Sequence, residues 1–373
     1  MESVTGDSMV SVGRAASDLR RGDFVVIEAE HETALAQAAE KVTADSLATL
    51  GRLAPDLPSL ALTAERARVL SVATARSPVV TLPLAKTIDV RTVRSLADPT
   101  YSEADLPTDT AAWQAADDGS CASAAVRLSK LAQLLPAALT ARLPRSSFDQ
   151  IAALADERNF LRFEANAIVD YPTLAAETLQ PVSDARVPLA GAENARLVGF
   201  RPADGGMEQF AIVIGDPAAH QPALCRLHGA CFTGDLLGSL RCDCGPQLQR
   251  AIQLMGEVGH GVLLYLAHEG RGIGLINKLR AYRLQDAGLD TVDANLHLGF
   301  ESDERSFRAA AIMLRHLGIG KVRLLTNNPS KVDALVKDGI EVSERIPHAM
   351  AATVHNRTYL ATKARRSGHL LDS

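Results

Sequence analysis

Apolar residues in PQLQRAIQLMGEVGHG, residues 246–261, fall at helical spacing, and the run ends in glycine, which predicts an amphipathic helix. GVLLYLAHEG, residues 261–270, opens as a continuous apolar run and predicts a buried strand. INKLRAYRLQDAGL (276–289) and ERSFRAAAIMLRHLGIG (304–320) return to the helical period, and KVRLLT (321–326) reads as a strand. PSKVDALVKDG (329–339) has proline near its start and glycine at its end, the asymmetry of a helix, and IEVSERI (340–346) is a further strand. This alternation predicts an α/β domain from about Val187 to the C-terminus.

The first half continues the alternation. DLRRGDFVVIEAEHETALAQAAEKVTADSLATL (18–50) begins with a strand flanked by helices, and LPSLALTAERARVL (57–70) and CASAAVRLSKLAQLLPAAL (121–139) extend the pattern. Composition changes around YPTLAAETLQPVSDARVP (171–188), which is expected to join the halves. The expected organisation is a domain over 10–172, a linker over 173–186 and a domain over 187–373, each a mixed sheet with flanking helices.

Length and composition narrow the class. A chain of 373 residues with 47% hydrophobic and 22% charged residues is globular, with two or three cores. The formal charge of −5 gives no reason to expect a nucleic-acid partner. No apolar run approaches the roughly 18 residues that span a bilayer, so no membrane partner is expected. MESVTGDSMV lacks a basic segment followed by an apolar one, so no secretory signal is expected. With only five cysteines, an odd number, reduced thiols and a cytoplasmic location are expected.

Reduced thiols direct attention to CFTGDLLGSLRCDCG, which carries Cys231, Cys242 and Cys244. A C-x-C pair departs from the C-x-x-C spacing of redox dithiols. Gly234 and Gly238 allow the intervening stretch to turn, hairpin-like, and bring the sulfurs together. Three soft ligands suit zinc and leave a fourth position for water, a hydrolytic arrangement. Two other readings stay open: three small buried hydrophobes, or a closed structural zinc with His228 as fourth ligand. Cys121 and Cys225 are expected in the core.

Polar clusters fall at element ends, where α/β proteins bind ligands. HEGRGIG (268–274) combines glycines that permit close backbone approach with Arg271, whose planar fork suits phosphate. LLTNNPSK puts Thr326 before a helix N-terminus, either an anion site or a plain turn and cap. FESDERSF sets Asp303, Glu304 and Arg305 at a helix entrance, where acids also complement the dipole. Tyr282 fits a packed helix face equally well. The residues alone therefore point to a zinc-water hydrolase beside a phosphate site.

GDLLGSLRCDCG, EGRGIGLINKLRAYRLQDAGLDTVDAN, LGFESDERSF and RLLTNNPSKV together resemble GTP cyclohydrolase II, over about Val187 to Leu371 and including the terminal YLATKARRSGHLL. The resemblance implies zinc-dependent hydrolysis of GTP, the first step of riboflavin biosynthesis. Formate leaves from C8 of guanine, and pyrophosphate is released. It implies one zinc per chain on Cys231, Cys242 and Cys244, magnesium with the triphosphate, GTP as partner and a homodimer. Tyr282 matches the residue that assists ring opening, and Asp303 the proton acceptor. Arg305 matches the residue assigned as nucleophile towards the α-phosphorus. A guanidinium is essentially always protonated, so an electrostatic role is the physical alternative. Implied GTP contacts are Arg226, His228, Gln247, Glu269, Gly270, Arg271, Thr291, Thr326 and Lys331.

Two stretches depart from the family pattern. RLHGAC carries Gly229 and Ala230 in place of a hydroxyl and a carboxylate, and AHEGR carries Ala267 and His268. A repurposed nucleotide-binding or regulatory homologue is therefore the alternative to a working enzyme. The first half resembles, in order, 3,4-dihydroxy-2-butanone 4-phosphate synthase, often fused upstream of this enzyme. The acidic cluster of that family is reduced here to EAEHETAL (28–35), its histidine motif to CASA (121–124), and TARSPVVTLPLAKTIDV looks shortened. Magnesium needs hard oxygen ligands. A catalytically silent domain is expected, surviving in dimerisation or in support of the second half. Glu28, Glu30 and Glu32 would share one strand face, as a substitute metal site or simply solvated.

Overall fold

A computed structural model gives the fold and describes residues 2–54, 56–72, 77–85, 88–101, 112–143, 153, 157, 160–350, 353–357, 362, 365, 366, 368 and 370. Most of YLATKARRSGHLL and part of TARSPVVTLPLAKTIDV lie outside the described residues. The chain forms two compact units. One is Met1–Pro172 with Ile276–Leu289 and Asp293–Asp303; the other is Thr173–Leu275 with Asp290–Val292 and Glu304–Ser373. Both are mixed α/β, as the alternating pattern predicts.

In chain order the elements are α1 (Glu2–Arg21), β1 (Val25–Glu28), β2 (Thr33–Ala38), α2 (Ala44–Leu53), β3 (Ser59–Thr63), α3 (Ala64–Val69), β4 (Val79–Pro83), α4 (Val90–Ala97), β5 (Gln114–Ala115), α5 (Cys121–Leu131), β6 (Ala137–Leu143), β7 (Leu161–Glu164) and α6 (Ala165–Glu177). The chain continues through β8 (Gln180–Arg186), β9 (Ala195–Arg201), β10 (Gln209–Ile214), β11 (Ala223–Gly229), α7 (Cys244–Val258), β12 (Gly261–Leu266), α8 (Leu275–Asp286), α9 (Thr291–His297), α10 (Arg308–His316), β13 (Lys321–Leu325), α11 (Pro329–Lys337) and β14 (Glu341–Ile346).

The first unit is built on a sheet of order β5-β4-β3-β6-β2-β1-β7. Only its β1–β7 pair runs parallel. Alternate strand residues feed two cores. Val26, Leu35, Leu60, Leu62 and Leu139 face one; Val25, Ile27, Ala34, Ala36 and Ala138 face the other, with α5 packed on them through Cys121, Ala124, Ala125 and Leu128. Glu28, Glu30 and Glu32 do not share a strand face, because β1 ends at Glu28 and the chain bends through residues 30 and 31.

The second unit is a sheet of order β14-β13-β11-β12-β10-β9-β8. Its β12, β11, β13 and β14 run parallel, and the remaining pairs are antiparallel. α7 covers one face through Ala251, Ile252 and Met255 against Leu224 and Leu263. α10 covers the other through Ala310, Met313 and Leu314 against Cys225, Leu227 and Leu264. Residues 173–186, expected as a linker, here end α6 and supply β8 as the sheet's edge strand. Every residue of β8 is exposed, so no apolar alternation marks it in the sequence. The helix expected from residue 304 starts only at Arg308. Glu304 instead donates its N–H to the Arg271 carbonyl at 3.1 Å, which holds residues 304–307 as a loop. Among the described residues no helix is long and apolar enough to cross a membrane.

Candidate active site

Three parallel strands of the second unit, β11, β12 and β13, deliver polar residues from their C-terminal ends, where open α/β sheets bind ligands. After β11 the chain leaves Gly229, reaches Cys231 and makes one wide helical turn over Phe232–Leu236 rather than a hairpin. Cys244 opens α7. The ligand atoms of Cys231, Cys242 and Cys244 all lie within 4.8 Å of one another, and Cys231 Sγ is 3.7 Å from Cys242 Sγ. Gly234 makes this possible without a positive φ. A Cβ there would sit 2.7 Å from Cys242 Sγ and 3.0 Å from Cys231 Sγ, so only glycine leaves the cradle open. With its neighbouring Cys231 thiol as the largest influence, the Cys242 thiol is held above its ordinary pKa. Three converging sulfurs with an open cradle fit a soft divalent metal such as zinc.

His228 is not a fourth member of that group. Its Nε2 lies 3.1 Å from Asp235 Oδ1, and its ring stacks on Tyr265 at 5.6 Å. Burial lowers the His228 pKa, and its Nδ1 is buried without a hydrogen-bond partner. Asp235 is the hub, accepting from Tyr265 Oη at 3.0 Å and from the Cys231 backbone N–H at 3.0 Å. Burial, followed by the Asp235 charge, raises the Tyr265 pKa.

Arg226 and Gln247 are hydrogen-bonded to each other, and Gln247 Nε2 donates to Asp243 at 2.5 Å. Arg226 is buried, which lowers its pKa to about 10, so it stays a cation at neutral pH. After β12, Glu269 accepts from the Phe232 N–H at 2.6 Å, tying this turn to the residue after Cys231. Gly270 and Arg271 both adopt left-handed backbone, with φ 63° and 65°. For Arg271 that costs about 1–2 kcal/mol, and strain of this kind collects at functional sites. After β13, Thr326 Oγ1 accepts from the Asn328 N–H and the Asn328 side chain caps α11, so the turn-and-cap reading of LLTNNPSK is realised. Lys331 Nζ donates to the Leu227 carbonyl at 2.6 Å and lies 5.6 Å from the Phe307 ring centroid. Arg305 Cζ lies 5.3 Å from that same ring. Thr291 opens α9 and is half-buried.

Tyr282, on α8, and Asp303 belong to the first unit. Lys278 Nζ lies 5.9 Å from the Tyr282 ring centroid. The expected site residues outside these two gather in the second unit. The departures also gather there. A Cβ on Gly229 would lie 3.5 Å from His268 Cβ and 3.9 Å from Arg305 Nη1, so Gly229 and His268 face one another beside Arg305. Ala230 donates its N–H to the Leu266 carbonyl at 2.7 Å, and Ala267 donates its own to Gln209 Oε1 at 2.8 Å. Sequence reasoning missed Asp235, Tyr265, Asp243 and Phe307. The usable signal was an acid between the clustered cysteines, carried by Asp235 in TGDLL and by Asp243 in CDC.

Comparison with known proteins matches this arrangement. The family model described as GTP cyclohydrolase II matches residues 180–347. A GTP cyclohydrolase-2 of Azospirillum brasilense is 50% identical over 366 residues, covering 97% of this chain and 94% of that one. GTP cyclohydrolase-2 of Pseudomonas aeruginosa (strain LESB58) is 55% identical over 175 residues, covering 47% of this chain and 85% of its own. The Escherichia coli O9:H4 protein of that name is 49% identical over 194 residues, covering 52% of this chain and 98% of its own. With three converging sulfurs and a relative 50% identical across 97% of this chain, the chain belongs to the GTP cyclohydrolase II family and is an enzyme of that class.

Proposed function

We propose that the protein hydrolyses GTP to 2,5-diamino-6-(5-phospho-ribosylamino)pyrimidin-4(3H)-one, formate and pyrophosphate, opening riboflavin biosynthesis. The observation that carries this reading is the convergence of Cys231, Cys242 and Cys244 in a unit that also gathers Arg226, Arg271, Arg305 and Lys331. The sulfurs would hold one zinc per chain, which supplies an activated water for attack at C8. Asp235 fixes the main chain of Cys231. The cations suit a triphosphate accompanied by magnesium. Arg305 and Lys331 supply charge to the phosphates, and an electrostatic role for Arg305 is compatible with a guanidinium that stays protonated. His228, Gln247, Glu269, Gly270, Thr291 and Thr326 complete the GTP contacts, Tyr282 assists ring opening, and Asp303 accepts the proton. The reading includes a homodimer and a cytoplasmic location, which the small, odd number of cysteines supports.

The test is incubation of pure protein with GTP and magnesium, with formate, pyrophosphate and the pyrimidine measured. The expected outcome is formate and pyrimidine in equal amounts. GTP binding without formate would leave the repurposed homologue as the answer.

A further inference from the structure

The helix that carries Tyr282 and the loop that ends at Asp303 are packed into the first unit, with the sheet β5-β4-β3-β6-β2-β1-β7. The ties are polar and sheltered. Arg280, two residues before Tyr282, places Nη1 3.2 Å from Glu40 and Nε 3.1 Å from Asp98, and donates to Asn277 Oδ1 at 2.6 Å. The three charged side chains are 14–19% exposed. Glu40 also accepts the Leu135 backbone N–H at 2.8 Å, so its carboxylate is fixed from the sheet side. Asn277 is fully buried and donates to the Gln133 carbonyl at 3.0 Å.

The Asp303 loop is held in the same manner. Thr63 Oγ1 donates to the Gly299 carbonyl at 2.7 Å. Arg66 is 3% exposed and sends its N–H groups to the carbonyls of Leu96, Ser95 and His297. Gly299 has φ +88°, and a Cβ there would meet Thr63 Oγ1 at 2.8 Å, so backbone and platform are in close contact. Buried charges of this kind contribute little net stability, but they fix one geometry, because any other leaves an ion unpaired.

We infer that the N-terminal part of the first unit is a positioning platform for the helix bearing Tyr282 and the loop ending at Asp303, with Arg280 as its principal positioning residue. This inference rests on the proposed roles of Tyr282 and Asp303. The platform performs no chemistry. It restricts the orientation of the Tyr282 side chain, and such restriction carries a large share of a rate enhancement.

The test uses the full chain with Arg280→Lys, Glu40→Gln/Asp98→Asn and Thr63→Val. Arg280→Lys keeps the charge but loses the planar fork; Thr63→Val removes the tie to Gly299 together with the cap of α3, without unpairing an ion. Each is expected to lower kcat for formate release about tenfold, with KM for GTP and bound zinc within about twofold of the parent, since a 1 Å misplacement costs up to a hundredfold. Combining Arg280→Lys with Tyr282→Phe is expected to cost no more than Tyr282→Phe alone, a coupling that general destabilisation would not produce. Hydrogen exchange of residues 276–286 is expected to accelerate in Arg280→Lys while β11 and β12 stay protected. Multiplicative losses, or unchanged exchange with unchanged kcat, overturn the platform. If Tyr282→Phe is fully active but exchange still accelerates, the platform stands and the role of Tyr282 fails instead.

Discussion

Asp235 holds Cys231 by its main chain: the carboxylate accepts the Cys231 N–H at 3.0 Å, and the Asp235 N–H donates to the Cys231 carbonyl at 2.7 Å. The same carboxylate receives Tyr265 Oη and faces His228, so one acid orients Cys231 and two stacked rings. Partners behind a ligand typically matter by 10–100-fold in metal affinity. Asp235→Ala is expected to weaken zinc binding by about that factor, read by competition with a chromogenic chelator. Zinc retention equal to the parent would show that Asp235 serves the fold alone.

Removal of a ligand separates the two bond-breaking events. Cys242→Ser is expected to lose bound zinc and formate release while pyrophosphate is still formed, because the proposed phosphoryl step draws on Arg305 and Lys331, which flank Phe307, and not on the sulfurs. Arg305→Ala is expected to lose both products if phosphoryl attack comes first. Parent-rate pyrophosphate release from Arg305→Ala would exclude it from that step.

Gly229 and His268 face each other with Arg305 alongside, so their departures from the family pattern belong together. Restoring one alone places a new polar group against a neighbour that did not change. Gly229→Ser and His268→Gln are each expected to raise KM for GTP a few-fold, and the double substitution is expected to deviate from the product of the two. Coupling of about 0.5–3 kcal/mol is usual for residues in contact. Strict additivity in the measured KM values would mean the two sites act independently.

The second half was the more legible because its helices carry clean apolar faces and its chemistry sits at strand ends. Four features resisted. β8 is exposed along its whole length and has no alternation to detect. The helix expected from residue 304 starts late because Glu304 is spent on Arg271, a contact between distant stretches. Asp235 looks like any acid in a turn until its three partners converge from β11, the Cys231 turn and β12. Residues 276–289 belong to the first unit, where Arg280 meets Glu40 and Asp98 across 240 and 182 positions of chain, a pairing no local pattern announces.

His348 supplies a pH dependence. It is buried, its Nε2 donates to the Gln247 carbonyl at 2.8 Å, and burial, followed by nearby Arg226, lowers its pKa from 6.5 to about 4. The unfolded chain therefore binds a proton at His348 more readily than the folded one. Stability is complete above about pH 6.5 and falls as the pH drops towards 4. Between pH 7 and 5 the site alone removes about 2 kcal/mol. His348→Gln is expected to flatten the acid limb of a urea-melt series. An unchanged slope between those pH values would assign the acid limb to other groups.

The first unit should be silent as a synthase, and its own side chains give the reason. Deprotonation beside a carbonyl needs a metal-held enediolate and free acid–base groups. The carboxylates left in EAEHETAL are spoken for or dispersed. Glu28 is paired with Arg162 at 2.5 Å. Glu32 is paired with Arg142 at 2.8 Å and accepts the Cys121 backbone N–H at 2.8 Å, closing the N-terminus of α5. Glu30 is 87% exposed beside His31, away from any ordered ligand set among the described residues. Cys121 stands where the resembling family has histidine, and burial raises its thiol pKa to about 12, so it is neither base nor ligand at neutral pH. Full-length protein given ribulose 5-phosphate and magnesium is expected to yield no dihydroxybutanone phosphate and no formate. Glu28→Gln is expected to leave GTP turnover within about twofold, because an exposed ion pair contributes 0–1 kcal/mol. Synthase turnover that disappears on Glu28→Gln would reverse this conclusion and make the first unit an enzyme in its own right.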